Sequence, residues 1–281
     1  MNRPQCYTMI TGSSDGFGKA LAIECAQRGM NLILVALPGP ELHHLANFIR
    51  KNFFVDVQCF ETNLAVDSEI HDLHSKIVEK GLAVNTLINN AGIGNTQIFI
   101  ETSPEFIKQQ IKLNVLATTL LTNLFIPELK KNSPSYILNM GSLCSFFYLP
   151  QKQVYGGTKS FIHFFSKSLR RELKSEQISV SVACPGGMNT NFSTSLINRN
   201  GNFLSRISIL NPEQAAPVVI EKMLRGKEVI IPGAVNQFSM ILDKLLPAFL
   251  KNILTDRLMK RLNPGSISTV EVDKKSSPMA A

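Results

Sequence analysis

The chain has 281 residues, of which 44% are hydrophobic, and its formal net charge is +8. This length is enough for one large core, and no Pro/Gly/Ser-rich linker or block of like charge divides the sequence. Lysine and arginine are dispersed rather than clustered, so the positive charge suits small acidic ligands better than nucleic acid. We therefore expect one folded domain and no nucleic-acid partner.

The five cysteines are scattered without Cys-x-x-Cys spacing. Their number is odd and the first residues do not resemble a signal peptide, so the sequence predicts a reduced, cytoplasmic protein without a disulfide framework. No cluster of cysteine and histidine has the spacing of a zinc site, and we expect no metal.

In chain order, the first predicted element is a strand over residues 5–10, which leads into Thr11-Gly-Ser-Ser-Asp-Gly-Phe-Gly18. Helical spacing then continues to Arg28 and ends at Gly29. A strand, a glycine-rich turn and a helix are typical of a dinucleotide site, because glycine lets the backbone approach a pyrophosphate at a positive helix N-terminus. The alternative is a glycine-rich turn that serves only packing.

A second buried strand is predicted over residues 31–37, with the continuous apolar pattern of a parallel sheet. In dinucleotide-binding folds, an acid that closes this strand binds the ribose 2′-hydroxyl, and an arginine accepts a 2′-phosphate. The strand closes on Leu37, which is neither, so this position does not identify the cofactor.

Strand and helix patterns alternate from here to residue 231. Strands are predicted over 54–60, 84–89, 136–140, 178–184 and 229–231, and helices over 41–51, 67–79, 103–131, 152–176 and 212–225. Repeated units of this length indicate an α/β fold, a doubly wound parallel sheet (Rossmann fold) with right-handed crossovers and helices on both faces.

Tyr155 and Lys159 are four residues apart in a predicted helix and therefore share one face. An ammonium about 4 Å from a phenolate contributes roughly 4 kcal/mol at an effective dielectric of about 20, which is about three pKa units. Such a contact would bring the tyrosine pKa from about 10 towards neutrality, as a proton donor for carbonyl reduction requires. Alone, Tyr-x-x-x-Lys is a weak signal. Ser142 follows a predicted strand, at the end where ligands collect in open α/β sheets.

Residues 236–262 alternate apolar and basic side chains in an amphipathic pattern, which Asp243, Lys244 and Pro247 interrupt. The apolar run is shorter than the roughly 20 residues of a membrane span. The alternatives are a membrane-surface helix, a lid over a lipid-like substrate, or helices packed on the core or a subunit, and we favour packing over peripheral membrane contact. We expect one domain over 1–262, with a core over 4–233 and a helical segment over 234–262, and a disordered tail over 263–281.

Six features occur in order, each at the end of a predicted strand or inside a predicted helix: Thr11-Gly-x-x-x-Gly-x-Gly18, Asn89-Asn-Ala-Gly92, Asn114, Ser142, Tyr155-x-x-x-Lys159 and Pro185-Gly186. Together they resemble the short-chain dehydrogenase/reductase family over about residues 4–233. An aspartate directly before the second glycine of the motif, here Asp15, is similar to the pattern of the branch that contains 17β-hydroxysteroid and 3-oxoacyl-CoA reductases. The resemblance implies an oxidoreductase that transfers hydride between NAD(P)(H) and a carbonyl or secondary alcohol.

The resemblance also implies the roles of individual residues. Tyr155 would be the general acid or base, and Lys159 would lower its pKa and hold the nicotinamide ribose. Ser142 would donate a hydrogen bond to the substrate oxygen, and Asn114 would hold a water in the proton relay. The implied cofactor-binding residues are Thr11, Gly12, Ser14, Asp15, Gly16, Phe17, Gly18, Leu37, Asn63, Leu64, Asn90, Ala91, Gly92, Tyr155, Lys159, Pro185, Gly186, Gly187, Met188 and Thr190.

The sequence departs from the family pattern at the positions that select the cofactor. Asp15 stands where many NADP-preferring members carry a basic residue, and Leu37 replaces the usual arginine. Asn63 replaces the usual aspartate near the adenine. Since no acid closes the second strand, nothing there would repel a 2′-phosphate, and we expect NADP(H) in preference to NAD(H).

Residues 191–209 and the aromatic run 146–148 predict an apolar pocket for the carbonyl or alcohol substrate. Acyl chains, steroids and aromatic ketones would all fit. The resemblance implies a homo-oligomer, either a dimer or a tetramer. The alternative function is a catalytically inactive regulatory protein that binds a dinucleotide, but a sensor would not need the complete catalytic set.

Overall fold

The computed structural model describes residues 5–190 and 208–245, with side chains up to residue 241. The strands are β1 (Tyr7–Thr11), β2 (Asn31–Ala36), β3 (Val57–Glu61), β4 (Val84–Asn89), β5 (Ser135–Met140), β6 (Ile178–Ala183) and β7 (Val229–Ile230). The α-helices of the described ranges are α1 (Gly16–Gln27), α2 (Pro40–Asn52), α3 (Asp67–Glu79), α4 (Pro104–Ile111), α5 (Thr118–Lys131), α6 (Gln153–Glu172), α7 (Pro212–Leu224) and α8 (Ala234–Leu245).

The strands form one parallel sheet of seven, in the order β3-β2-β1-β4-β5-β6-β7. The chain runs outward from β1 to β3, returns to place β4 beside β1, and then runs outward in the other direction. The strand order therefore reverses between β1 and β4, and ligands of such sheets bind beyond the carboxyl ends of the strands at this point. The predicted doubly wound Rossmann fold is confirmed.

Helices cover both faces of the sheet, which is why its strands are apolar along their whole length. On one face α1, α2 and α7 contribute buried residues such as Leu21, Leu42 and Val219 to a shared core. On the other face α3, α5 and α6 contribute a second core, in which Phe125 is fully buried. Residues facing opposite sides alternate along β1, where Met9 belongs to the second core and Ile10 to the first.

The long helix predicted over 103–131 is interrupted in the structure. It consists of α4, a π-helical turn over Lys112–Ala117, and α5. A π turn adds one residue to the helical repeat, and such turns are frequent at functional sites. Periodicity alone does not detect this insertion, because the apolar face continues on both sides of it.

The predicted start of β3 also differs from the observed one. The sequence predicts the strand from residue 54, and in the structure it begins at Val57. Phe53 still donates its backbone N–H to Ile49 of α2, at 2.9 Å, and Phe54 is fully exposed in the turn. These aromatic residues have a high strand propensity, but the end of the preceding helix determines their conformation.

The predicted C-terminal helix is described only in part, as α8. Phe238 and Ile241 are exposed on it, whereas Asn236 is buried. Contacts group Met1–Met240 into one compact unit and Ile241–Ala281 into a second. Residues 191–207 of the predicted substrate segment (191–209), residues 246–262 of the predicted helical segment and the predicted tail over 263–281 lie outside the described residues. Within the described part of the chain, none of the helices combines the length and the apolar character needed to cross a membrane.

Candidate active site

The ends of β1 and β4 are joined by hydrogen bonds at the point where the strand order reverses. Thr11 Oγ1 accepts from the backbone N–H groups of Asn90 and Ala91, both at 3.0 Å. The Asn90 amide donates to the carbonyls of Thr11 and Gly12, at 3.0 and 3.1 Å. Four of the predicted cofactor-binding residues therefore meet at the crevice.

The glycine-rich turn between β1 and α1 depends on small residues. Gly12 and Gly16 have φ values of +64° and +54°, in the region that favours glycine. A Cβ on Gly18 would lie 1.9 Å from the Gly12 carbonyl oxygen. Ser13, which the sequence analysis did not identify, ties the turn to β2, since its N–H and Oγ both donate to Val35 O.

The start of α1 fits the phosphates of a dinucleotide. The helix begins at Gly16, and Asp15 at its N-cap makes no capping hydrogen bond with its side chain. The first turn contains no acid, so the positive end of the helix and its backbone N–H groups suit an anion. The Phe17 side chain is buried in the core, so only its main chain in the first turn is available to this surface.

The predicted adenosine region lies at the ends of β2 and β3. Leu37 is exposed, whereas the Leu64 side chain is buried in the second core, so only its main chain is available to a ligand. Asn63 is held by its neighbours: its N–H donates to Glu69 at 2.6 Å and its Oδ1 accepts from Ala65 N.

The π turn directs Asn114 towards the loop after β4. Its Nδ2 donates to Ile93 O at 2.9 Å and to Thr158 Oγ1 at 3.1 Å, and its Oδ1 accepts from Ile93 N at 2.9 Å. A Cβ on Gly92 would lie 2.9 Å from Asn114 Oδ1 and 3.4 Å from Lys159 Nζ. Asn114 thus fixes the residue 93 loop to α6, beside the lysine.

Lys159 is buried on α6 and points towards the end of β5. Its Nζ donates to Met140 O at 2.8 Å and lies 5.7 Å from the centroid of the Tyr155 ring. Burial lowers the pKa of Lys159 to about 8. The ammonium form therefore still predominates at pH 7.

The expectation that Lys159 brings the Tyr155 pKa towards neutrality is not met by the protein's own groups. Burial raises the pKa of Tyr155 to about 12; the charge interaction with Cys144 also raises it, and a hydrogen bond with Ser142 lowers it. The physical reason is that burial penalises the charged phenolate, while the lysine ammonium, 5.7 Å from the ring centroid, donates to the Met140 carbonyl. The phenol is thus protonated at neutral pH, as a general acid must be.

Ser142 completes this group at the end of β5. Its Oγ accepts from Cys144 N at 3.1 Å, in addition to its hydrogen bond with Tyr155. The following backbone N–H, that of Leu143, donates to Pro185 O at 2.9 Å and joins this end to the segment after β6. The four predicted catalytic residues are therefore brought together along the ends of β4, β5 and β6.

The segment after β6 reaches back to the glycine-rich turn. A Cβ on Gly16 would lie 3.2 Å from Thr190 Cβ. Met188 pairs with Leu210 in a parallel bridge, and Leu210 N donates to Gly187 O at 3.1 Å. The predicted nicotinamide segment thus lies between the catalytic group and the start of α1.

Asn236 of α8, which the sequence analysis did not identify, packs against this segment. It is 2% exposed, and its Nδ2 donates to Ser208 O at 3.0 Å and to Pro232 O at 3.1 Å. A Cβ on Gly186 would lie 2.9 Å from its amide. No local pattern in the sequence marks this residue, because its contacts with Ser208 and Gly186 are distant in sequence.

Two further residues at Tyr155 were not identified from the sequence. Lys152 Nζ lies 5.4 Å from the Tyr155 ring centroid and donates to Asn95 O at 3.1 Å. A Cβ on Gly94 would lie 2.8 Å from Tyr155 Cδ2. The three-residue spacing from Lys152 to Tyr155 is a signal that could have identified the lysine.

Across residues 5–190 and 208–241, no His, Cys, Asp and Glu side chains group in a way that could hold a metal.

The fold and the crevice between β1 and β4 are those of the dinucleotide-binding class, and comparison with known proteins gives the family. Residues 7–201 match the short chain dehydrogenase family, and the chain belongs to it. It is similar to the very-long-chain 3-oxoacyl-CoA reductase of Mus musculus, at 34% identity over 186 residues, covering 64% of this chain and 58% of that protein. The Homo sapiens protein of the same name is 30% identical over 185 residues, with the same coverage. The chain thus matches 58% of the length of these curated relatives.

Solved structures show the same fold. The bulky-bulky ketone specific alcohol dehydrogenase from Comamonas testosteroni superposes with a TM-score of 0.72 at 23% identity, over 97% of this chain and 99% of that one. A short-chain dehydrogenase from Sphingobium yanoikuyae in complex with NADPH gives 0.72 at 24%, over 95% and 99%. A 3-oxoacyl-[acyl-carrier protein] reductase from Brucella melitensis with bound NAD gives 0.70 at 20%, over 81% and 89%.

Proposed function

We propose that the protein is an NAD(P)(H)-dependent oxidoreductase that transfers hydride between the nicotinamide and the carbonyl or secondary alcohol of an apolar substrate. The observation that carries this proposal is the convergence of Ser142, Tyr155, Lys159 and Asn114 beside a glycine-rich helix start that fits a dinucleotide. Long-chain 3-oxoacyl thioesters are the first substrates to test, because the curated relatives are named as reductases of such compounds.

In the reductive direction, the bound cofactor would supply hydride to the substrate carbon. The substrate oxygen would bind the hydrogen-bonded pair of Ser142 and Tyr155, and Tyr155, protonated at neutral pH, would donate its proton to the developing alkoxide. The Lys159 ammonium would stabilise the phenolate that remains. In the oxidative direction Tyr155 would accept the proton.

The cofactor would be held by the chain's own segments at the crevice. The backbone N–H groups at the start of α1 would bind the pyrophosphate, and the segment from Pro185 to Thr190 would hold the nicotinamide. We propose a preference for NADP(H), because β2 closes on Leu37 and not on an acid. Structural neighbours solved with NADPH and with NAD support a nicotinamide dinucleotide of either kind.

Replacement of Tyr155 by phenylalanine tests the proposed chemistry. The variant lacks the proton donor, so kcat is expected to fall by about 10²–10⁴-fold while the Kd for NADPH stays close to the wild-type value. Turnover is measured as NADPH consumption with 3-oxoacyl thioesters and ketones, and binding as nucleotide fluorescence.

Tyr136→Phe on β5 is the matched control, since it removes a hydroxyl outside the candidate site, and it should retain activity. Undiminished turnover by Tyr155→Phe would contradict the assigned acid. Nucleotide binding without turnover of any substrate by the wild type would favour the regulatory alternative.

We further propose that the protein forms a homo-oligomer through α6. This helix exposes Phe161 and Phe164, at 45% and 74% exposure, and large exposed apolar patches often mark protein interfaces. The predicted cytoplasmic location stays a prediction.

A further inference from the structure

No acid closes β2, but the adjacent strand β3 ends on one, Glu61. β2 and β3 pair in parallel, and their last residues, Ala36 and Glu61, are in register. Glu61 therefore lies one strand away from the position that, in dinucleotide-binding folds, determines how the adenosine ribose is recognised.

The Glu61 carboxylate turns towards the loop that follows β2. Its Oε1 accepts from the backbone N–H of Gly39 at 3.2 Å and makes a hydrogen bond with His43 Nε2 at 3.1 Å. Gly39 is only two residues beyond Leu37. The side chain is 41% exposed, so its charge is presented at the surface of the adenosine region.

Little positive charge balances this carboxylate. In the part of the chain that the structure describes, its ion-pair partner is His43, itself 56% exposed, and neither lysine nor arginine pairs with it. Glu41 adds a second negative charge close to the same loop. Its Oε2 is so near to Gly39 that a Cβ placed on this glycine would lie 2.8 Å from it. A 2′-phosphate bound at this loop would meet two carboxylates.

We propose that Glu61 weakens the discrimination of this chain in favour of NADP(H): its charge opposes a 2′-phosphate, and its carboxylate suits a 2′-hydroxyl. This inference rests on the proposed function. It revises the expectation from the sequence that nothing at the end of the second strand would repel a 2′-phosphate, because the acid comes from the adjacent strand. Glu61 therefore limits the preference for NADP(H) that Leu37 alone would allow.

The test is Glu61→Gln, which removes the charge but keeps an oxygen that can accept from Gly39. Fluorescence titration of wild type and variant gives Kd for NADPH and for NADH. We expect the ratio of the NADH Kd to the NADPH Kd to rise about three- to tenfold at low ionic strength, as for one charge acting on a nearby phosphate. High salt should reduce this rise, because it screens exposed charges.

Glu79→Gln is the matched control, the same substitution at the end of α3, where the chain leads into the amino end of β4, and it should leave the ratio unchanged. Glu41→Gln separates the two neighbouring acids, and a shift equal to that of Glu61→Gln would overturn the assignment to Glu61. An unchanged ratio in Glu61→Gln, with both nucleotides bound, would overturn this inference alone. Failure of the wild type to bind either nucleotide would overturn the proposed function as well.

Discussion

At the scale of single residues, spacing predicted which side chains meet but not their protonation. The four-residue interval between Tyr155 and Lys159 gave a shared helical face, and both lie at the same site. The partner of the lysine, Met140 O, lies at the end of β5, and the depth of burial depends on the whole fold. The pKa shifts of both residues therefore could not be predicted from the local sequence.

Lys159 is expected to reduce stability in favour of activity. Its pKa is lowered from 10.5 to about 8, which corresponds to a cost of about 3.4 kcal/mol at pH 7. Lys159→Met should therefore raise the free energy of unfolding by about 2–3 kcal/mol, once about 1 kcal/mol is subtracted for the lost hydrogen bond to Met140. The same variant should lose turnover. Urea denaturation and NADPH consumption measure the two effects.

The pH dependence of this effect has a definite sign. Between pH 8 and 10.5 the unfolded chain binds more protons at Lys159 than the folded protein, so wild-type stability should rise relative to Lys159→Met over this range. Below pH 8 both states are protonated and the full cost remains. A stability difference that does not change from pH 7 to 10 would contradict the burial of a charged lysine.

At the scale of elements, existence and order were predictable and irregularities were not. Alternation of buried strands and amphipathic helices identified the sheet, since each pattern has its own period. The π turn at Lys112–Ala117 was missed by periodicity, and Asn114 attracted attention only through the family resemblance. Contacts such as that between Glu61 of β3 and Gly39 of the loop after β2 join distant segments and leave no local signal.

The π turn gives Asn114 a structural role in addition to its proposed catalytic one. Asn114→Ala removes three hydrogen bonds, to Ile93 N, Ile93 O and Thr158, and should lower the free energy of unfolding by about 2–4 kcal/mol together with kcat. Thr158→Val removes only one of them and should cost about 1 kcal/mol. Equal stability of Asn114→Ala and wild type in urea would show that the turn does not depend on this side chain.

At the scale of the whole molecule, the fold followed from the sequence because topological rules leave few arrangements for repeated strand–helix units. The crevice between β1 and β4 is a property of that topology, and the residues predicted at strand ends converge there. Association between copies cannot be predicted from the fold in the same way, because it depends on surface side chains that the topology does not determine.

Phe164→Glu tests the proposed assembly through α6. A charge at this exposed position should shift sedimentation from an oligomer towards the monomer, because a buried unpaired carboxylate is costly at an apolar interface. Phe54→Glu is the control, a fully exposed phenylalanine in the turn before β3, and should leave the oligomer intact. Unchanged sedimentation of Phe164→Glu would place the interface elsewhere.

The contact of Asn236 with Gly186 and Ser208 has a practical consequence for dissecting the C-terminal part of the chain. The side-chain amide of Asn236, on α8, contacts the segment after β6. A protein shortened before this helix would therefore lose a buried contact next to the candidate active site. A shortened chain that lost activity would then report this damage, and not the role of the residues beyond the helix. Trimming should therefore begin after Met240, so that Asn236 keeps its partners and the outer residues can be tested separately.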